Sequence, residues 1–303
     1  MAIKGLGRIV RSVRALGRGF SASSVSAFPS RVPAIGLALG GGFARGIVHI
    51  GVLKVFEEEQ IPIACIVGTS VGALIGAAYC GGMSSAELEA LAARVRMRDL
   101  ARWTISRLGF ATNLRMITFL NKILQVKTFE ELRIPLAITA TDFTSGQGVV
   151  FRSGPLAGPV RASCAYPGMF LPVSIDGRLL VDGMLAYSLP VQPARDMGAD
   201  RVVAVNLKTN WANGVGPRHI FDVIGQCFSI TQEIICAQSK QCADVIIEPD
   251  VTGYRYDDFE HSAELVRIGE AATRSALPQI RAWLELSKAR PAVLKPLPVT
   301  PAT

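Results

Sequence analysis

Ser70 lies in Gly68-Thr69-Ser70-Val71-Gly72, between an apolar run at 63–67 and a small-residue run at 72–78. The first run reads as a buried strand and the second as a helix. A Gly-x-Ser-x-Gly at such a junction is a nucleophile elbow, a turn too tight for side chains on either side of the serine. The hydroxyl of Ser70 would stand at a helix N-terminus, where the dipole and unpaired N–H groups favour developing negative charge.

Upstream, the apolar run 34–39 ends in Gly40-Gly41-Gly42-Phe43-Ala44-Arg45-Gly46. The next residues, 47–57, place apolar side chains at helical spacing. Three consecutive glycines expose amide hydrogens with nothing in the way, as an anion cradle needs. A phosphate-binding P-loop would end in Lys-Ser or Lys-Thr, and Arg45-Gly46-Ile47 stands here instead. The spacing of Gly40, Gly42 and Gly46 is closer to a dinucleotide loop. None of the five tyrosines, however, has the lysine four residues on that a short-chain reductase would want. Two readings stand: an oxyanion hole and a glycine turn without a ligand.

A serine nucleophile needs a base. The three histidines are His49, His219 and His261. Each sits in or before a helical pattern, and each reads as a packing or surface residue. Two Asp-Gly pairs, Asp176-Gly177 and Asp182-Gly183, flank a short apolar run. The first reads as a two-residue hairpin turn. The second puts Asp182 at the end of the return strand, where sites form in α/β sheets. Asp182 is the better candidate base; its alternative is an ordinary turn aspartate.

The glycine-rich loop with Arg45-Gly46, the Ser70 pentapeptide, Asp182-Gly183, and the stretch 162–173 before the aspartate occur in the order of the patatin-like phospholipase family. The resemblance runs from about residue 34 to 249. It is closest to the bacterial branch related to the neuropathy target esterase catalytic domain. One departure is Phe43, where that branch often carries a fourth glycine. The resemblance implies a patatin-like three-layer α/β/α fold around a mostly parallel sheet. It implies a serine carboxylic-ester hydrolase of phospholipase A or lysophospholipase type, working through an acyl-serine with a Ser-Asp dyad and no cofactor. Carried over by position, Ser70 is the nucleophile and Asp182 the base. Gly40, Gly41 and Gly42 form the oxyanion loop. Arg45 stabilises that loop, with Gly46, Gly68, Gly72 and Gly183 as supporting turns. The substrate would be a phospholipid or lysophospholipid. The rival functions are an acyltransferase using the same acyl-serine and a non-catalytic, membrane-associated regulatory protein on the same fold.

The elements that must position these residues follow from the pattern. Strands are expected at 134–142, 201–207 and 243–248, and helices at 219–241 and 262–288. This alternation argues for a mostly parallel sheet covered on both faces. The 303 residues suit one large α/β domain or two small ones, and half of them are hydrophobic, ample for a sizeable core. The stretch 60–86 carries no charge, but Pro62, its glycines and the elbow argue for a buried strand and helix over a membrane span. Residues 97–127 mix aromatic and apolar residues with Arg98, Arg102, Arg107, Arg115 and Lys122. They read as a helical insertion packed on the core, or as a lid or acyl-channel wall that touches lipid.

Most of the net charge of +8 belongs to residues 1–33, which hold Lys4, Arg8, Arg11, Arg14, Arg18 and Arg31 and no acid. No nucleic-acid face is therefore expected in the body. Apolar residues recur at helical spacing in this segment. It reads as a disordered leader, a targeting peptide or, as the favoured reading, an anchor on anionic membrane. The expected division is a basic amphipathic segment at 1–33, an acyl hydrolase domain at 34–288 and a proline-rich tail at 289–303. Six cysteines without a Cys-x-x-Cys pair, and few histidines, argue for buried free thiols and no metal site. The expected location is cytoplasmic, with a peripheral position on the inner membrane surface.

Overall fold

The computed structural model describes residues 32–207 and 220–288. The chain divides into two units, Pro33–Trp283 and the chain ends Met1–Val32 with Leu284–Thr303. The sheet and all candidate site residues belong to the first. The expectations for residues 1–31, for the tail and for His219 lie outside the described residues.

The strands are β1 (Ile35–Leu39), β2 (Cys65–Thr69), β3 (Arg102–Ser106), β4 (Gly109–Thr112), β5 (Leu136–Asp142), β6 (Gly148–Phe151), β7 (Val173–Ile175), β8 (Arg178–Asp182), β9 (Arg201–Val205) and β10 (Val245–Ile247). The strands β10, β9, β1, β2 and β5 run parallel, in that order across the sheet. Every residue of β1 and β2 is buried, which is why both read as unbroken apolar runs. The far side is antiparallel: β6 and β8 pair with β5, and β7 with β8. The turn between β7 and β8 holds Asp176 and Gly177, both at positive φ (50° and 75°), as a two-residue hairpin loop requires.

The longer helices are α1 (Val48–Glu58), α2 (Val71–Cys80), α3 (Ser85–Ala92), α4 (Arg115–Ile123), α5 (Ala157–Ser163), α6 (Ile220–Lys240) and α7 (Ser262–Lys288). One-turn helices at Met97–Leu100 and Met184–Tyr187, and the short helix Val191–Asp196, fill the connections. Both faces of the sheet are covered. Ala38, Val67 and Ala204 pack in a core with Val191, Ala194 and Cys236 of the helical layer on one face. On the other, Gly76 of α2 lies against Leu39, Ile66 and Leu136. The result is the expected three-layer α/β/α arrangement with a mostly parallel sheet.

The registers on β5 decide the geometry of the site. Thr139 pairs with Thr69 of β2 and with Val150 of β6. Its neighbour Ala140 pairs with Val149 of β6 and with Asp182 of β8. Since β6 occupies one edge of β5 at both positions, β2 and β8 share the other edge. They approach from opposite directions and meet end to end, β2 stopping at Thr69 and β8 at Asp182.

Two expectations change. Residues 97–127 are not a purely helical insertion, because Arg102–Ser106 and Gly109–Thr112 form an antiparallel hairpin, β3–β4. The thiols are not all buried: Cys227 and Cys242 are exposed. The charge-free stretch 60–86 forms β2 and α2, and no described helix is long and apolar enough to cross a membrane.

Candidate active site

The chain leaves β2 at Thr69 and enters α2 at Val71, so the whole turn is Ser70. Its backbone sits at φ 56°, ψ −122°, a region side-chain-bearing residues rarely occupy. The glycines explain how the turn closes. A Cβ on Gly72 would lie 2.4 Å from the carbonyl oxygen of Leu39, and one on Gly68 would lie 2.5 Å from the backbone of Ala73. Gly46 gives Val71 the same room, since a Cβ there would lie 2.2 Å from a Val71 methyl. The Ser70 N–H donates to Ser163 Oγ at 2.7 Å, which ties the turn to the end of α5.

The Ser70 hydroxyl donates to Asp182 Oδ2 at 2.8 Å. Asp182 is 1 % exposed. Its other oxygen, Oδ1, accepts the Met184 N–H at 3.0 Å, and its backbone carbonyl accepts from Thr141 Oγ1 at 2.9 Å. Burial pushes the Asp182 carboxyl up to about 7, against the opposing pull of the Met184 N–H and the Ser70 hydroxyl. Gly183 is a close-approach position: a Cβ there would lie 2.5 Å from the Thr139 carbonyl oxygen. The Asp-Gly pair thus lets β8 end flush against β5.

The glycine loop lies over the serine, where a Cβ on Gly41 would sit 3.5 Å from Ser70 Cβ. Among the described residues, no protein acceptor takes the amide hydrogen of Gly41 or Gly42. The Gly40 amide differs: it donates to the Val205 carbonyl at 3.2 Å and extends the β1–β9 pairing. Of the three glycines expected to form an oxyanion loop, only Gly41 and Gly42 have no protein acceptor for their amide hydrogen among the described residues. The Gly40 carbonyl accepts from His49 Nε2 at 2.9 Å. His49 is fully buried, and burial lowers its pKa to about 4, so the ring is neutral. Arg45 is buried just beyond the loop, and desolvation lowers its pKa to about 10.

Two spaces meet at Ser70. A small recess is bounded by Gly41, Gly42, Phe43, Arg45, Tyr166, Met184 and Gln232. A larger pocket, partly open to solvent, is walled almost wholly by apolar side chains. Val71, Leu74, Ile75 and Ala78 of α2 line its length, spaced as one face of a helix. Met97, Leu100, Met116, Phe119 and Ile123, all from the 97–127 segment, supply another wall. The Cys164 thiol borders the pocket beside Ser70, and burial holds it protonated.

Sequence reasoning grouped Ser70, Asp182 and the glycine loop, and the structure brings these together. His49, read as a packing or surface residue, is fully buried, but its bond to the Gly40 carbonyl was not foreseen, and Ser163 was not singled out at all. A histidine three residues after Gly46, on the helix that the loop enters, was the available signal for the first. His261 is exposed and pairs with Asp258, remote from Ser70 in its contacts.

The chain is similar to several known proteins. An uncharacterized NTE family protein of Mycobacterium tuberculosis is 36% identical over 181 residues, covering 59% of this chain and 50% of that protein. Lysophospholipase NTE1 of Cryptococcus neoformans is 33% identical over 179 residues, covering 57% of this chain and 11% of that protein. The matched region thus spans half or less of these relatives. The crystal structure of VipD from Legionella pneumophila shares the fold, with a TM-score of 0.55 at 13% identity, over 82% of this chain and 67% of that one. The patatin-like phospholipase family matches residues 37–195, a span that contains every residue from the glycine loop to Asp182-Gly183. The chain belongs to the patatin-like phospholipase family.

Proposed function

We propose that the protein hydrolyses acyl esters of lipids, with a phospholipid or lysophospholipid as substrate. The observation that carries this reading is the 2.8 Å hydrogen bond from Ser70 Oγ to a buried carboxylate at the mouth of a long apolar pocket. The acyl chain lies in the pocket along α2, which brings its ester carbonyl to Ser70. Asp182 Oδ2 takes the hydroxyl proton as Ser70 Oγ attacks the carbonyl carbon. The Gly41 and Gly42 amides hold the resulting oxyanion, an arrangement in which one donor is worth roughly 3 kcal/mol. The tetrahedral intermediate collapses, the alcohol leaves with the proton from Asp182, and an acyl-serine remains. Water, deprotonated by Asp182, attacks that ester and releases the fatty acid.

The support is chemical as well as geometric. A carboxyl group with a pKa near that of imidazole can serve as the base where no histidine reaches the serine. The name of the fungal relative, a lysophospholipase, points to the same substrate class. The test is a fluorophosphonate probe with mass mapping of the adduct, beside fatty-acid release from lysophosphatidylcholine and phosphatidylcholine. Labelling at Ser70, with release lost in Ser70→Ala, is the expected result. A protein that neither labels nor releases fatty acid is not an acyl hydrolase.

A further inference from the structure

Among the described residues, twelve large apolar side chains are exposed, and eight of them fall in the stretch 102–114 and on α6. Trp103 and Leu108 stand on the β3–β4 hairpin at 79 % and 67 % exposure, with Phe110 and Leu114 following. Ile220, Val223, Ile230 and Ile234 form a stripe on α6 at intervals of three and four residues, with exposed Cys227 in register between them. Clustered exposed apolar surface of this kind marks a contact surface.

Both elements border the candidate site. The amides of Phe110 and Ala111 donate to the Met169 carbonyl, and Ala101 and Ala111 pack with Tyr166 and Phe170. On the other flank, the Phe228 ring of α6 meets the Tyr166 ring at 5.5 Å, and Gln232 lines the small recess beside Ser70. The inward face of α6 thus serves the site while its outward face is bare.

Charge identifies the occupant. Between residues 93 and 127 stand Arg94, Arg96, Arg98, Arg102, Arg107, Arg115, Lys122 and Lys127, against the single acid Asp99. All of these but Arg96 are exposed. On the hairpin, apolar side chains ringed by cations match an anionic bilayer, whose headgroups take the arginines and whose acyl region takes the aromatic and aliphatic groups; the α6 stripe adds apolar area and one exposed acid, Glu233. A protein partner would have to be acidic and apolar over the same area.

We propose that the β3–β4 hairpin and the outward stripe of α6 form one face that docks on an anionic lipid bilayer, with the Ser70 pocket opening beside it. The choice of a bilayer rests on the acyl-ester reading above. In this face Trp103, Leu108, Ile230 and Ile234 enter the interface, and Arg102 and Arg107 stay at headgroup level.

The test uses the full chain with vesicles of phosphatidylcholine alone and of phosphatidylcholine with phosphatidylglycerol. Partition is expected to be at least tenfold stronger on the anionic vesicles. It should fall at least tenfold in W103D/L108D and in I230D/I234D, while circular dichroism stays unchanged. Trp103 emission, read in a Trp211→Phe/Trp283→Phe background, should shift to the blue on vesicle addition. Either double variant binding like wild type overturns the proposal, whether another segment carries the binding or none does. So does loss of a dimer in I230D/I234D, seen by sedimentation, without loss of vesicle binding. Hydrolysis of p-nitrophenyl butyrate in solution should be unchanged in both double variants. If the wild type cleaves no ester, the acyl-ester reading fails, and vesicle partition still decides the docking face.

Discussion

Thr69 and Asp182 occupy successive positions along one edge of β5, opposite Thr139 and Ala140. The parallel strand that carries the serine and the antiparallel strand that carries the aspartate stop head to head. The residue after one stop is Ser70 and the residue at the other is Asp182. Thr69 Oγ1 reinforces the junction, with Thr139 Oγ1 and the Tyr187 carbonyl oxygen each 2.7 Å away. Ser70 and Asp182 therefore meet through backbone pairing that neither side chain controls.

This relationship makes Gly183 a sensitive position. In Gly183→Ala, the new Cβ would lie 2.5 Å from the Thr139 carbonyl oxygen, and backbone cannot yield as a flexible side chain can. The end of β8 must move off β5 and take Asp182 with it. A misplacement near 1 Å can cost about 10²-fold in rate. Ester hydrolysis by G183A should fall by roughly that factor, with thermal unfolding lowered by several degrees. Wild-type turnover in G183A would mean that the junction does not position the dyad.

The pH dependence follows from Asp182. Only the carboxylate can accept the Ser70 proton. With its pKa pushed up to about 7, the base is mostly protonated at pH 5 and mostly ionised at pH 8.5. On a soluble ester, kcat/KM should rise with pH through a midpoint near 7 and reach a plateau. A profile flat from pH 5 to 8 would exclude Asp182 as a base with this pKa.

The same burial costs stability. A native pKa of about 7 against an ordinary 3.8 means that the folded protein holds this proton more tightly than the unfolded chain. Stability is then lost as pH rises from about 4 to 7 and stays lost above. The difference corresponds to on the order of 4 kcal/mol. Asp182→Asn, which removes the charge and keeps the shape, should abolish hydrolysis and raise the melting temperature at pH 8. The gain should shrink at pH 5. A D182N protein less stable than wild type at pH 8 would show that the carboxylate is better solvated than its burial implies.

Most of the site could be read from the chain because its residues lie in short ordered motifs whose spacing is set by turns. Gly68 and Gly72 are needed where this strand turns into a helix in one residue, and the Asp176-Gly177 hairpin announces where β8 must begin. The end-to-end meeting of β2 and β8 was not legible, since it depends on a register within β5 that no local pattern records. The roles of His49 and Ser163 were hidden for the same reason. Each meets the backbone of a residue away along the chain, His49 that of Gly40 and Ser163 that of Ser70. The β3–β4 hairpin was obscured because Trp103, Leu108 and Phe110 face solvent, so its apolar residues mark no core.

His49 offers a test of the oxyanion loop. A trans peptide points its C=O and N–H in opposite directions. Holding the Gly40 carbonyl toward His49 therefore aims the Gly41 N–H away from it, on the side open to an oxyanion. The ring is neutral above about pH 4, so Nε2 remains a donor to that carbonyl through the working range. His49→Phe should lower kcat by roughly 10- to 100-fold with little change in KM, a fraction of the loss when an oxyanion donor is deleted. His49→Gln, which can present an amide N–H, should recover part of it. Equal loss in both variants, with lowered melting temperature, would make His49 a packing residue.

The apolar pocket should set chain length. Its α2 wall runs from Val71 to Ala78, and at about 1.5 Å per residue the far end lies roughly 10 Å along the helix from the serine end. Ala78 is 2 % exposed and small, so a larger side chain there would plug the far end and leave the mouth untouched. In Ala78→Phe, a short-chain ester never reaches position 78 and should turn over as in wild type. A long acyl chain must leave its distal carbons outside the pocket, and one buried CH₂ is worth about 0.8 kcal/mol. Losing two to three such groups should raise KM for a long-chain lysophospholipid roughly 10- to 50-fold. Overpacking could lower overall stability by about 1–3 kcal/mol, so the ratio of long-chain to short-chain turnover is the measurement to use. An unchanged ratio in A78F would show that the acyl chain takes another path from Ser70.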